Sequence, residues 1–172
     1  MKEIESLNTS ESDGYVYVQE RAAMERLIQR IDTAERVALD TEADSLHSYF
    51  EKVCLVQLSF GGEHYIIDPL AGLDLNGLSE ALADKPLILH GGDYDLRMLR
   101  ASIGFRPRRE VFDTMIAAQL LGLEQIGLAA LIERFFAITI GKAGQKSDWS
   151  RRPLSENQLR YAVNDTRFLE RL

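Results

Sequence analysis

Between residues 19 and 34 the apolar positions Ala22, Ala23, Leu27, Ile28 and Ile31 recur three and four apart, which predicts an amphipathic helix burying one stripe. Just before it, Tyr15-Val16-Tyr17-Val18 alternates with the two-residue period of a strand. Three further strands are predicted over residues 36–41, 53–60 and 64–68, and Gly61-Gly62 supplies the turn between the last two. After Pro69 the period changes. A short helix (about 75–83), a strand (86–90), a helix (about 94–102), a short strand (111–112) and three helical stretches complete the chain. Three adjacent antiparallel strands, then strands alternating with helices, predict an α/β fold: a mixed sheet flanked by helices.

The chain has 172 residues, 45% hydrophobic and 27% charged, which fits one globular domain and excludes disordered and collagen-like chains. Residues 1–13 are polar and acidic with three serines, so a flexible N-terminal lead-in is expected there, with the domain over 14–172. Nowhere do about 18 apolar residues run together, and the N-terminus lacks a basic stretch followed by an apolar core; a cytoplasmic protein with no membrane partner is expected. Twenty Lys plus Arg against 27 Asp plus Glu leave a net charge of −7, so a polyanion would have to be held by local features. The single cysteine, Cys54, lies in an apolar run and reads as a buried structural thiol.

The last helix has the sharpest start signal. Ser155-Glu156-Asn157-Gln158 fits a capping box, Leu154 and Leu159 stand where a hydrophobic staple places its two residues, and Pro153 stops any earlier helix. The phase of that helix is thereby fixed, and Tyr161 and Asp165, four apart, share one of its faces. Asp40-Thr41-Glu42 ends the first long strand, and alternation puts Asp40 and Glu42 on one side of it. Paired carboxylates repel unless a proton or cation lies between them, and Mg²⁺ selects such oxygen ligands. A solvated strand end would look the same. Asp95 follows a strand and a Gly91-Gly92 turn into the first turn of a helix, where an acid also complements the helix dipole; Asp93 is the expected N-cap of that helix.

Taken in order, a strand-end Asp-x-Glu, an Asp at a strand-to-helix junction and a Tyr-x-x-x-Asp on a final helix resemble the ribonuclease D branch of the DEDD 3′-5′ exonucleases, in the tyrosine-bearing subgroup. The matching stretches include Val37-Ala38-Leu39-Asp40-Thr41-Glu42, Tyr65-Ile66-Ile67-Asp68-Pro69-Leu70, Leu89-His90-Gly91-Gly92-Asp93-Tyr94-Asp95-Leu96, Phe112-Asp113-Thr114, Ser147-Asp148-Trp149 and Tyr161-Ala162-Val163-Asn164-Asp165, and the resemblance covers residues 15–172. It implies a ribonuclease H-like fold and a hydrolase using two divalent ions, Mg²⁺ or Mn²⁺. Asp40, Glu42 and Asp165 would hold the first ion, Asp40 would bridge to the second, Asp95 would support the second, and Tyr161 would orient the attacking water. On the substrate side it implies Thr41, Leu46 as an apolar wedge, His90, and the loop residues Lys142, Gln145 and Arg152. The implied substrate is the 3′ end of a single-stranded nucleic acid, RNA favoured over DNA, in tRNA or structured-RNA 3′-end processing, with release of nucleoside 5′-monophosphates. A DNA-directed proofreading or repair exonuclease is the closest rival; a catalytically silent nucleic-acid-binding module is a second, against which the four carboxylates and Tyr161 argue. Asp113 is expected to cap the following helix rather than serve as a fifth ligand.

Overall fold

The computed structural model describes residues 9–10, 14–44, 52–141, 144 and 146–172. Seven strands form one sheet: β1 (Thr9–Ser10), β2 (Tyr15–Val18), β3 (Val37–Ala43), β4 (Val53–Phe60), β5 (Glu63–Ile67), β6 (Leu87–Leu89) and β7 (Val111–Asp113), in the order β1-β2-β5-β4-β3-β6-β7. β3, β4 and β5 make the expected antiparallel meander, and β6 and β7 add to β3 in parallel. On the far side β2 joins β5 in parallel, which no local pattern foretold. Within the expected N-terminal lead-in, Thr9 and Ser10 pair antiparallel with Val16 and Tyr15 at the edge of the sheet, and residues 1–8 and 11–13 lie outside the described residues.

All eight residues of β4 are buried, because helices cover both faces of the sheet; the strand therefore reads as a nearly continuous apolar run rather than an alternating one. On one face α1 (Arg21–Asp32), α2 (Asn76–Ala83) and α3 (Asp93–Ile103) bury Leu27, Ile31, Leu78 and Leu99 against Val37, Leu39, Val56 and Leu58. The opposite face is covered by α6 (Glu156–Arg167), which packs across β3, β4 and β5 and places Ala162 and Val163 against Leu55, Ile66 and Trp149. Between them in sequence lie α4 (Thr114–Leu120) and α5 (Leu128–Phe136). Cys54 is fully buried and its thiol is pushed up to about 11, chiefly by burial. Among the described residues no helix is long and apolar enough to cross a membrane.

Candidate active site

The start of α6 follows from local chemistry. Ser155 Oγ accepts from the Gln158 amide, and the Ser155 amide donates 3.0 Å to Gln158 Oε1, so both halves of the capping box are made. Leu154 and Leu159 pack against the cluster under the helix. With its N-terminus pinned and Ala162 and Val163 facing the sheet, α6 presents Tyr161 and Asp165 toward the C-terminal end of β3. Asp40 and Glu42 reach the same place from the strand. Oxygens of Asp40, Glu42 and Asp165 all lie within 4.8 Å of one another.

Asp95 is held beside them by β3 itself. Its Oδ1 accepts from the Thr41 amide (2.9 Å) and from Thr41 Oγ1 (2.5 Å). The Thr41 hydroxyl, expected on the substrate side, is therefore committed to orienting Asp95. The turn that delivers Asp95 is anchored from β7: Asp113 accepts from the Gly91 and Gly92 amides at 2.9 Å each while also capping α4 through the Met115 and Ile116 amides. Gly91 has φ 69°, and a Cβ on Gly92 would fall 2.6 Å from Leu89 Cβ, so this turn requires both glycines. Gly92, not Asp93, is the N-cap of α3; Asp93 stands one residue later, exposed, and pairs with Arg97 at 2.9 Å.

Asp40, Thr41, Glu42, Asp95, Tyr161 and Asp165 line one cleft of about 740 Å³, together with His90 and Trp149. Burial drives every carboxyl in it toward the protonated form, and repulsion adds to burial. Asp40 is raised well above its ordinary value by burial, then by Asp165, Asp95 and Glu42. Glu42 is pushed up to about 9 by burial, with Asp165 and Asp95 adding repulsion. Asp165 is pushed up to about 7, mainly by burial, with the Tyr161 hydroxyl acting in the opposite direction. Asp95 is raised by burial and restrained by its bonds to Thr41. The Tyr161 phenol is raised by burial and by the neighbouring carboxylates, so it stays protonated and able to donate. Clustered carboxyls of this kind gain most from a divalent cation, which removes the repulsion they exert on one another. The donor set, three convergent carboxylates and a fourth alongside, fits a hard cation.

The remaining expectations divide. His90 does line the cleft, with Nδ1 2.8 Å from Thr114 Oγ1, whose hydroxyl donates to the Leu89 carbonyl; Nδ1 therefore carries the proton. Arg152 needs correcting. Its guanidinium spends all five donors inside the fold, pairing with Asp68 at 2.6 and 2.7 Å and bonding the carbonyls of Trp149, Arg151 and Cys54, so none is left for a phosphate. Trp149 packs in the cluster under α6. Leu46, Lys142 and Gln145 lie outside the described residues. One buried polar residue was passed over: Gln57, aligned with Asp40 across β3 and β4, whose signal was a lone amide inside the run Val53-Cys54-Leu55-Val56-Gln57-Leu58.

Comparison with known proteins agrees with this geometry. The family model of a 3′-5′ exonuclease matches residues 15–172. Ribonuclease D of Zymomonas mobilis subsp. mobilis is 38% identical over 160 residues, 90% of this chain and 41% of that protein. Protein RRP6-like 3 of Arabidopsis thaliana is 32% identical over 161 residues, 92% of this chain and 18% of its own. The crystal structure of Escherichia coli RNase D, described as an exoribonuclease involved in structured RNA processing, matches with a TM-score of 0.83 at 30% identity, over 91% of this chain and 42% of that one. The chain thus spans about two fifths of the length of these bacterial relatives. With a mixed sheet carrying Asp40, Glu42, Asp95, Tyr161 and Asp165 into one cleft, and with matches over nearly all its length, this chain belongs to the 3′-5′ exonuclease family, in its ribonuclease D-like branch.

Proposed function

We propose that the chain hydrolyses single-stranded nucleic acid from the 3′ end, RNA in preference to DNA, with two divalent ions held by its carboxylates. The observation that carries this reading is the convergence of Asp40, Glu42 and Asp165 within 4.8 Å, in one cleft with Asp95 and Tyr161. Asp40, Glu42 and Asp165 would hold one ion, and Asp95, with Asp40, would support a second. When bound, Mg²⁺ or Mn²⁺ supplies activation of water and neutralisation of charge on the phosphate and the departing 3′ oxygen. The chain's own residues do the rest. Asp95, fixed by Thr41, keeps the carboxylate set aligned along the end of β3. Tyr161, protonated, orients the attacking water by hydrogen bonding rather than removing its proton. Water adds to phosphorus, the P–O3′ bond breaks, the departing O3′ takes up a proton in place of the one lost by the water, and a nucleoside 5′-monophosphate leaves a shortened strand with a new 3′-hydroxyl.

The choice of RNA rests on relatives named ribonuclease D and RRP6-like and on the exoribonuclease description of the E. coli enzyme. The test is a time course on 5′-labelled single-stranded RNA and matching DNA, with Mn²⁺, Mg²⁺ or chelator, running wild type beside Asp40→Asn. A ladder shortening from the 3′ end, dependent on metal, faster on RNA and absent in the variant, is expected. Faster cleavage of DNA would assign the DNA-directed activity instead, and binding without cleavage by a folded sample would leave a silent module.

A further inference from the structure

Buried polar groups in folded proteins nearly always find a partner, so one that does not calls for a physical reason. In β4, all of it buried, only Gln57 and Ser59 carry polar side chains. Ser59 is satisfied: its hydroxyl lies 2.7 Å from Thr166 Oγ1 and 2.8 Å from His64 Nδ1. Gln57 is not. It has no exposed surface, and neither Nε2 nor Oε1 has a hydrogen-bond partner among the described residues. A leucine would fill such a position without an orphaned amide.

Its place explains the choice. Gln57 is the cross-strand partner of Asp40, so the two side chains leave the sheet on the same face, the face that α6 covers. One pleat away Ser59 is tied to Thr166, the residue after Asp165. The amide therefore stands beside Asp40 on the face of β4 that α6 covers. A lysine or arginine there would orient a carboxylate but repel a cation, whereas a neutral amide donates a hydrogen bond and adds no charge. We propose that Gln57 is a positioning residue for the metal site: its unpaired side-chain N–H is reserved for the Asp40 carboxylate, and the bond is made when a divalent ion binds the carboxylates. Such outer partners of metal ligands fix ligand orientation, and their loss weakens metal binding by about 10- to 100-fold. The inference rests on the metal-dependent reading above.

The test is Gln57→Leu, with Gln57→Met as a second variant of similar volume should the first fail to fold. Two readouts that need no substrate are decisive: melting temperature in chelator, and the dissociation constant for Mn²⁺ alone by calorimetry. The variant should melt in chelator at or above the wild-type temperature, because it removes an unpaired buried amide. It should bind Mn²⁺ about 10- to 100-fold more weakly, and its activity should recover at saturating Mn²⁺. Wild-type affinity for Mn²⁺ in the variant would overturn the assignment, and so would a clear loss of stability in chelator, which would mean that the amide is already paired without metal. If wild type itself neither binds Mn²⁺ nor cleaves RNA, the metal-dependent reading falls and this inference with it; a matching variant beside an active wild type overturns the Gln57 role alone.

Discussion

Raising the pH of the metal-free protein from 7 to 9 should destabilise it, and divalent ions should abolish that loss. A carboxyl whose pKa is higher in the folded than in the unfolded chain stabilises the fold while protonated, and this contribution is lost as pH rises toward the folded value. Glu42 goes from an ordinary 4.5 to about 9, so its loss extends through the whole interval. Asp165, raised to about 7, has given up most of its contribution below the interval. The window also avoids opposing groups. His64 is lowered to about 4 and His90 is lowered by burial, so both gain stability only as pH rises to the unfolded value near 6.5 and contribute nothing further above it. The depressed carboxylates Asp68 and Asp113 lose their contribution only in acid. One group titrating over two pH units is worth about 2.7 kcal/mol, or roughly 5–11 °C in melting temperature for a domain of this size. Differential scanning calorimetry in chelator at pH 7, 8 and 9, repeated with Mn²⁺ and with Glu42→Gln, measures it. A melting temperature that is flat or rising in chelator, or a fall that Glu42→Gln leaves intact, would refute the reasoning.

Two further outcomes are expected. Tyr161→Phe removes the hydroxyl that orients water and that also hydrogen-bonds Asp165, so kcat should fall by about 100-fold even at an Mn²⁺ concentration that calorimetry shows to saturate the variant. Arg152→Met strands the Asp68 carboxylate, which is 5% exposed, and should cost about 3–5 kcal/mol in urea denaturation; a raised KM for RNA without that loss would return Arg152 to the substrate side.

Much of the fold is legible because local geometry decides it. The run 53–60 and its glycine turn set β4 and β5, and the serine, glutamine and flanking leucines set the start of α6. The misreadings come from partners distant in sequence. Asp93 has a side chain suited to capping α3, but Asp113 already takes the Gly91 and Gly92 amides, and the helix begins from Gly92 instead. Arg152 in a loop looks available to phosphate until Asp68, far away in the chain, claims it. Thr41 looks free until Asp95 does the same.

The sequence by itself determined which residues share a face: Asp40 with Glu42 along a strand, Tyr161 with Asp165 along a helix whose phase its own cap fixes. Those relations follow from the repeat of the backbone and need no other part of the chain. Only the tertiary structure decided that the two pairs meet, that Asp95 is held beside them by Thr41, and that the buried Gln57 amide has no partner among the described residues. The raised carboxyl pKa values belong to that second class as well, because desolvation and repulsion arise only when α6 closes over the end of β3 and brings the charges together out of water.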